Sequence, residues 1–83
     1  MTRAEGLGVV LRDSREARGL SQTQLAEQLG LDRGWSQRKI SLLEAGKQTT
    51  HLDEVEEIAR VLGRDALEMV KEAFERSDRS ISE

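Results

Sequence analysis

Gly19, Gly30, Gly46 and Gly63 each close a short segment whose apolar residues recur at helical spacing. A chain punctuated this way, and free of proline, has one economical solution: several short helices joined by tight turns. In the first segment Leu7, Val10, Leu11 and Ser14 share one face, which predicts a helix from Leu7 to Arg18. Ser21 is a good N-cap and Gln24 stands three residues on, the signature of a capping box. Leu20 and Leu25 flank that box as a hydrophobic staple, and the second helix carries Leu25, Ala26 and Leu29 up to Gly30. Ser36 caps a third helix bearing Ile40 and Leu43 and ending at Gly46. A fourth starts at Thr50 or His51, with Leu52, Val55, Ile58, Ala59 and Leu62 in phase. Asp65 caps a fifth, with Glu68 in box position and Leu67, Val70 and Phe74 as its apolar residues. No strand pattern competes, so the expected fold is all-α, a compact five-helix bundle. Its expected divisions are an N-terminal arm over 1–6, a folded domain over 7–76 and a disordered polar tail over 77–83.

Eighty-three residues make one domain with a modest core. Without cysteine there is no disulfide to brace that core and no thiolate metal site. No apolar run is long enough to span a bilayer, and Met1 to Glu5 lack a signal peptide's apolar stretch. The expectation is a soluble cytoplasmic protein with no membrane partner. The net charge of −3 is unevenly spread. Residues 1–49 carry a net charge of +2 and residues 50–83 one of −5. A basic first half suits a phosphate-bearing partner and an acidic second half would face away from it, although solvated helix surfaces explain both equally well.

The second and third predicted helices, with glycine in the turn between them, have the form of a helix-turn-helix unit. The ordered set Leu7-Gly8, Arg12, Arg15, Gly19-Leu20-Ser21-Gln22, Leu25-Ala26, Leu29-Gly30, Ile40-Ser41, Leu43-Glu44, Gly46, Leu52, Ile58-Ala59 and Leu62-Gly63 resembles the XRE/Cro-type helix-turn-helix family of phage repressors and bacterial regulators. The resemblance spans residues 7 to 68. It implies the lambda-repressor-like DNA-binding fold and sequence-specific binding of double-stranded DNA. It also implies a transcriptional repressor acting as a homodimer on a pseudo-palindromic operator, with no cofactor. The segment Trp35-Ser36-Gln37-Arg38-Lys39-Ile40-Ser41 is similar to the start of the recognition helix in an actinobacterial subset of that family.

Residue by residue, the resemblance implies base reading by Gln37 and Arg38, with Ser41 and Leu42 one turn further along. It implies phosphate contacts from Gln22, Lys39 and Lys47, and from Arg33 if its segment points toward DNA. Arg15 and Glu44 match an ion pair between the first and third helices. The chain departs from the family in one respect: nine residues, Leu31 to Lys39, stand where about five are usual. The extra four either loop out or extend the third helix backwards from Asp32. Gly34 favours the loop, because it would cost about 1 kcal/mol inside a helix. Trp35 either packs at the core edge or touches the DNA backbone. The fifth helix, with Leu67, Val70 and Phe74, is the expected dimer surface, the alternative being that it completes the core.

An enzyme is not expected. His51 is the single histidine and stands at a helix start. Gly46-Lys47-Gln48-Thr49 fails as a phosphate loop, because Ser41 occupies the first glycine position and Gln48 the Ser/Thr position. Asp53, Glu54, Glu56 and Glu57 read as a solvated face rather than a metal site. The rival reading is a protein-binding module of the same fold, such as an antitoxin, gripping a basic partner through its acidic C-terminal half.

Overall fold

The computed structural model describes residues 2–82, and the side chains among them apart from those of Arg3 and residues 77–82. Five α-helices make up the described chain: α1 (Arg3–Ala17), α2 (Gln22–Leu29), α3 (Gln37–Glu44), α4 (Leu52–Leu62) and α5 (Ala66–Ser82). One 3-10 turn, Leu31–Arg33, lies between α2 and α3. Among the described residues there is no strand, and no helix is long and apolar enough to cross a membrane.

The caps fall largely where the side chains require them. Ser21 and Gln24 form a reciprocal capping box on α2, each accepting the other's backbone N–H at 3.0 and 2.8 Å. Ser36 accepts the Lys39 N–H at the start of α3. Gly63 ends α4 in the left-handed conformation. α1 begins four residues earlier than its apolar pattern indicates. Thr2 and Glu5 form a second capping box, at 3.1 and 3.0 Å, which turns residues 3–6 into helix instead of an arm. The extra turn carries little apolar periodicity, so only the Thr2–Glu5 spacing betrays it. α5 is helical through Ser82, beyond the Ser77 boundary expected for a polar tail. Glu83 lies outside the described residues.

The core gathers one stripe from every helix, including Val10 and Leu11, Leu25 and Leu29, Ile40 and Leu43, Ile58 and Leu62, and Met69 and Ala73. One apolar assignment is corrected. Leu52 opens α4 and points outward. In α5 the inward stripe is Ala66, Met69 and Ala73, while Leu67 is 75% and Phe74 42% exposed and Val70 is half-buried. α5 lies along α1 in the most extensive helix pair in the fold and turns small Ala73 and Ala66 to the core. Polar contacts fix its rotation. Arg64 donates to the buried Ser14 hydroxyl at 2.7 Å and pairs with Glu72, whose carboxylate raises the Arg64 pKa. Arg76 reaches Asp13 of α1 at 3.2 Å.

α1 also meets the end of α3 almost backbone to backbone, at two glycines. A Cβ on Gly8 would lie 2.4 Å from the Glu44 carbonyl oxygen and 2.6 Å from that of Leu43. A Cβ on Gly46, itself at φ +72°, would lie 2.8 Å from the Glu5 Cα. Gly8→Ala isolates the first approach. Alanine gains about 1 kcal/mol over glycine inside a helix, but here it would push on carbonyls that cannot rotate away. The expected net effect is a loss of about 1–3 kcal/mol, seen as a fall in melting temperature by circular dichroism; a rise would show that the approach is looser than described.

Candidate nucleic-acid interface

The site is built on α3. Gln37 and Arg38 are exposed in its first turn, and Ser41 and Leu42 lie half-buried one turn on. The i, i+4 spacing puts the four on one continuous face. The Arg38 guanidinium makes no ion pair or hydrogen bond among the described residues and extends from the first turn of α3. Lys47, just past the helix, is likewise exposed and unpaired.

Behind that face a chain of hydrogen bonds runs inward. Gln37 donates to the Gln22 side-chain oxygen at 2.6 Å. Gln22 donates to Glu44 Oε1 at 3.0 Å. Glu44 accepts a bidentate pair from Arg15, with Nε at 2.7 Å and Nη2 at 3.0 Å. Arg15 Nη1 completes its fork on the Leu20 carbonyl at 2.7 Å, the residue before the cap of α2. The Arg15 and Glu44 side chains are only 9% and 5% exposed. The Glu44 hydrogen bonds and charge raise the Arg15 pKa against the opposing effect of burial. One buried pair thus ties α1, the entry to α2 and the end of α3 together.

Three residues assigned to phosphate are engaged within the fold. The Gln22 side chain is a link in this relay. Lys39 turns back from the exposed face: its Nζ lies 2.6 Å from Glu54 Oε2 and 4.3 Å from the centroid of the Trp35 ring. Arg33 pairs with Glu57 at 2.6 Å. Lys39 and Arg33, expected at phosphate, thus both have a partner within the fold. The segment that carries Arg33 loops out as a 3-10 turn, with Gly34 left-handed at φ +93°, and does not extend α3. Trp35, which follows it, is 3% exposed and belongs to the core, which leaves no surface for the DNA backbone.

The acidic run of α4 divides into two sets. Asp53 and Glu56 are exposed, whereas Glu54 and Glu57 are half-buried and paired. Sequence reasoning missed this, along with the Gln22–Gln37 link, because the partners lie 15 to 24 residues apart and leave no local pattern. Burial pushes the Glu54 pKa up, but the Lys39 hydrogen bond, the His51 N–H and the Lys39 charge outweigh it and hold the carboxyl below 4.5. No group of acidic or histidine side chains suited to a metal ion occurs among the described residues.

A helix-turn-helix domain family model matches residues 6–72 of the chain. Among solved structures, the clp gene regulator ClgR from Corynebacterium glutamicum has the same fold, with a TM-score of 0.86 at 23% identity. That match covers 99% of this chain and 83% of that one. No curated protein matches the chain.

Glu44→Ala strands a buried guanidinium, so it should cost about 3–5 kcal/mol in denaturant melts; Arg15→Ala should cost less when added to it than alone, and strict additivity would refute the coupling. The Glu54 carboxyl titrates below its unfolded value. Its stabilising contribution is therefore complete above about pH 4.5 and lost as pH falls through the lower folded value. The stability gap between wild type and Glu54→Gln should accordingly be flat from about pH 7 to 5 and close below about pH 4, as read from thermal melts across that range.

Proposed function

The chain belongs to the helix-turn-helix domain family, and we propose that it is a sequence-specific double-stranded DNA-binding transcriptional regulator of the XRE/Cro type. The observation that carries this is the α3 face. An unpaired arginine and a glutamine held by a hydrogen-bond relay project from its first turn, backed by a buried ion pair that fixes the helix on the core. A recognition helix enters the major groove by its N-terminal end, so first-turn side chains reach base edges. Arg38 has the fork that matches guanine O6 and N7. Gln37 keeps its carbonyl and one N–H for an adenine edge after donating the other to Gln22. Ser41 and Leu42 follow along the groove, with Leu42 offering a thymine methyl its apolar contact.

Lys47 and the backbone N–H groups at the start of α2 are assigned to phosphate. Of the four N–H groups left over at that helix start, the Ser21 hydroxyl accepts that of Gln24. Those of Gln22 and Thr23 have no acceptor among the described residues and lie at the positive end of the helix dipole, which suits an anion. That the solved relative is a gene regulator agrees with the reading. A domain of this size covers one half-site, so we assign a homodimer on two half-sites about 34 Å apart, acting in the cytoplasm as a repressor that occludes a promoter. The protein-binding alternative has less support, because Glu54, Glu57 and Glu72 of the acidic half are paired within the fold.

Selection from a random duplex pool, followed by sedimentation of the complex, tests the reading; two protomers per selected duplex are expected. With Lys47 as the unpaired cation assigned to phosphate in each protomer, the dimer should show a log–log salt slope of about −2, and a slope near zero would count against DNA binding. Arg38→Ala should lose about 1–3 kcal/mol on the selected site and flatten preference at one base pair. Lys47→Ala should weaken every sequence alike and make the slope shallower by about one for each lysine removed. If Arg38→Ala left base preference intact, the reading contact would move to Gln37 or Ser41.

A further inference from the structure

The α3 helix is joined to α2 by residues 30–36, a connector long enough that chain connectivity alone does not set the angle between the two helices. Something else must hold that angle, and the structure places two carboxylates of α4 where they can. Glu54 and Glu57 are three residues apart, so they share one face of α4. Glu57 receives Arg33 of the connector at 2.6 Å. Glu54 receives Lys39 of α3 at 2.6 Å, with the two side chains 25% and 15% exposed. The other Glu54 oxygen accepts the His51 N–H at 3.0 Å, so the carboxylate is oriented by the start of its own helix before Lys39 arrives. Between these two pairs the connector drops Trp35 into the core, and the Lys39 ammonium covers its ring at 4.3 Å.

We propose that Glu54 and Glu57 act as a two-point clamp on the connector and on α3, and that Lys39 is a positioning residue for base discrimination. This rests on the DNA-binding reading. Successive residues on a helix lie about 100° apart, so Arg38 can face a groove while Lys39 faces α4. The lysine cannot stay on Glu54 and Trp35 and also reach outward to a phosphate. Releasing it would loosen the N-terminal turn of α3, with Gln37 and Arg38, and leave that turn to the Gln37–Gln22 hydrogen bond while Ile40, Leu43 and the Arg15–Glu44 pair hold the rest of the helix.

The test compares affinity for the best selected duplex with that for a scrambled duplex of equal length, using the full chain. Lys39→Met keeps the apolar stem and removes the charge; Glu54→Gln keeps the shape and removes the charge. Each should lower the ratio of the two affinities about ten-fold, the order of one good base contact. The double variant should lower it no further, the salt slope on scrambled DNA should not change, and Lys39→Arg should restore the ratio. Trp35 is the only tryptophan, so its emission should shift in Lys39→Met and in Glu54→Gln alike as the cation leaves the ring. If Lys39 instead held a phosphate, Lys39→Met would weaken both duplexes equally with a shallower slope, and Glu54→Gln would free the lysine and tighten both. Either result overturns the clamp, as does an unchanged ratio. Should Lys39→Met fail to fold, Glu54→Gln and Glu57→Gln carry the same comparison. Wild-type protein that retards neither duplex would sink the DNA-binding reading and this inference with it. A discriminating wild type beside equally discriminating variants would sink the clamp alone.

Discussion

The Arg15–Glu44 pair is the contact on which the position of α3 depends. Two opposite charges held out of water are stable only while every donor and acceptor is matched, and here the matching recruits three helices. The guanidinium fork uses two N–H groups on Glu44 and one on the Leu20 carbonyl. The carboxylate then accepts Gln22 as well. Breaking any one of these leaves a charged group short of partners, so the geometry is far less forgiving than an apolar contact of the same size. α3 therefore inherits its register from α1, the longest helix packed on it.

That inheritance needs α1 and α3 to come very close, which side chains on both helices would prevent. Gly8 removes the obstacle on α1, and Gly46 lets the chain turn away beneath Glu5. Both glycines carry a cost in conformational entropy, offset by a buried pair with well-formed hydrogen bonds. The neighbouring face of α1 holds α5 by other means, through small alanines and the Arg64–Ser14 and Arg76–Asp13 contacts. The result is a central helix held by different chemistry on its two sides, a buried ion pair toward α3, and toward α5 the packing of small alanines with polar contacts beside it.

Charge is distributed in the same economical way. Arg33 and Lys39 look like DNA contacts when read along the chain, yet both are neutralised by α4. What remains unpaired on the α3 side among the described residues is Arg38 and, beyond the helix, Lys47. On the proposed DNA-binding reading, each such internal pair removes one source of sequence-independent attraction to phosphate.

Helix number, most of the caps and the core face of four helices were legible in the chain, because each depends on residues within a turn or two of one another. Ser21 with Gln24, Ser36, and the closing Gly63 act through backbone N–H groups or φ angles only a few residues away. The Arg15–Glu44 pairing was legible only through resemblance, as nothing local links positions 29 apart. The rotation of α5 was not legible: two stripes, Leu67/Val70/Phe74 and Ala66/Met69/Ala73, fit one helix equally well, and close packing against α1 chose the smaller. Nor was the direction of Lys39, Arg33 and Trp35, which hangs on where α4 lies once the chain has folded back. Local sequence determined which segments are helices and where they stop, since hydrogen bonding and steric limits on the backbone are short-ranged. Tertiary structure alone decided which charges face one another and which remain for a partner, since a long side chain can reach several neighbours and takes the one that packing brings within a few ångströms.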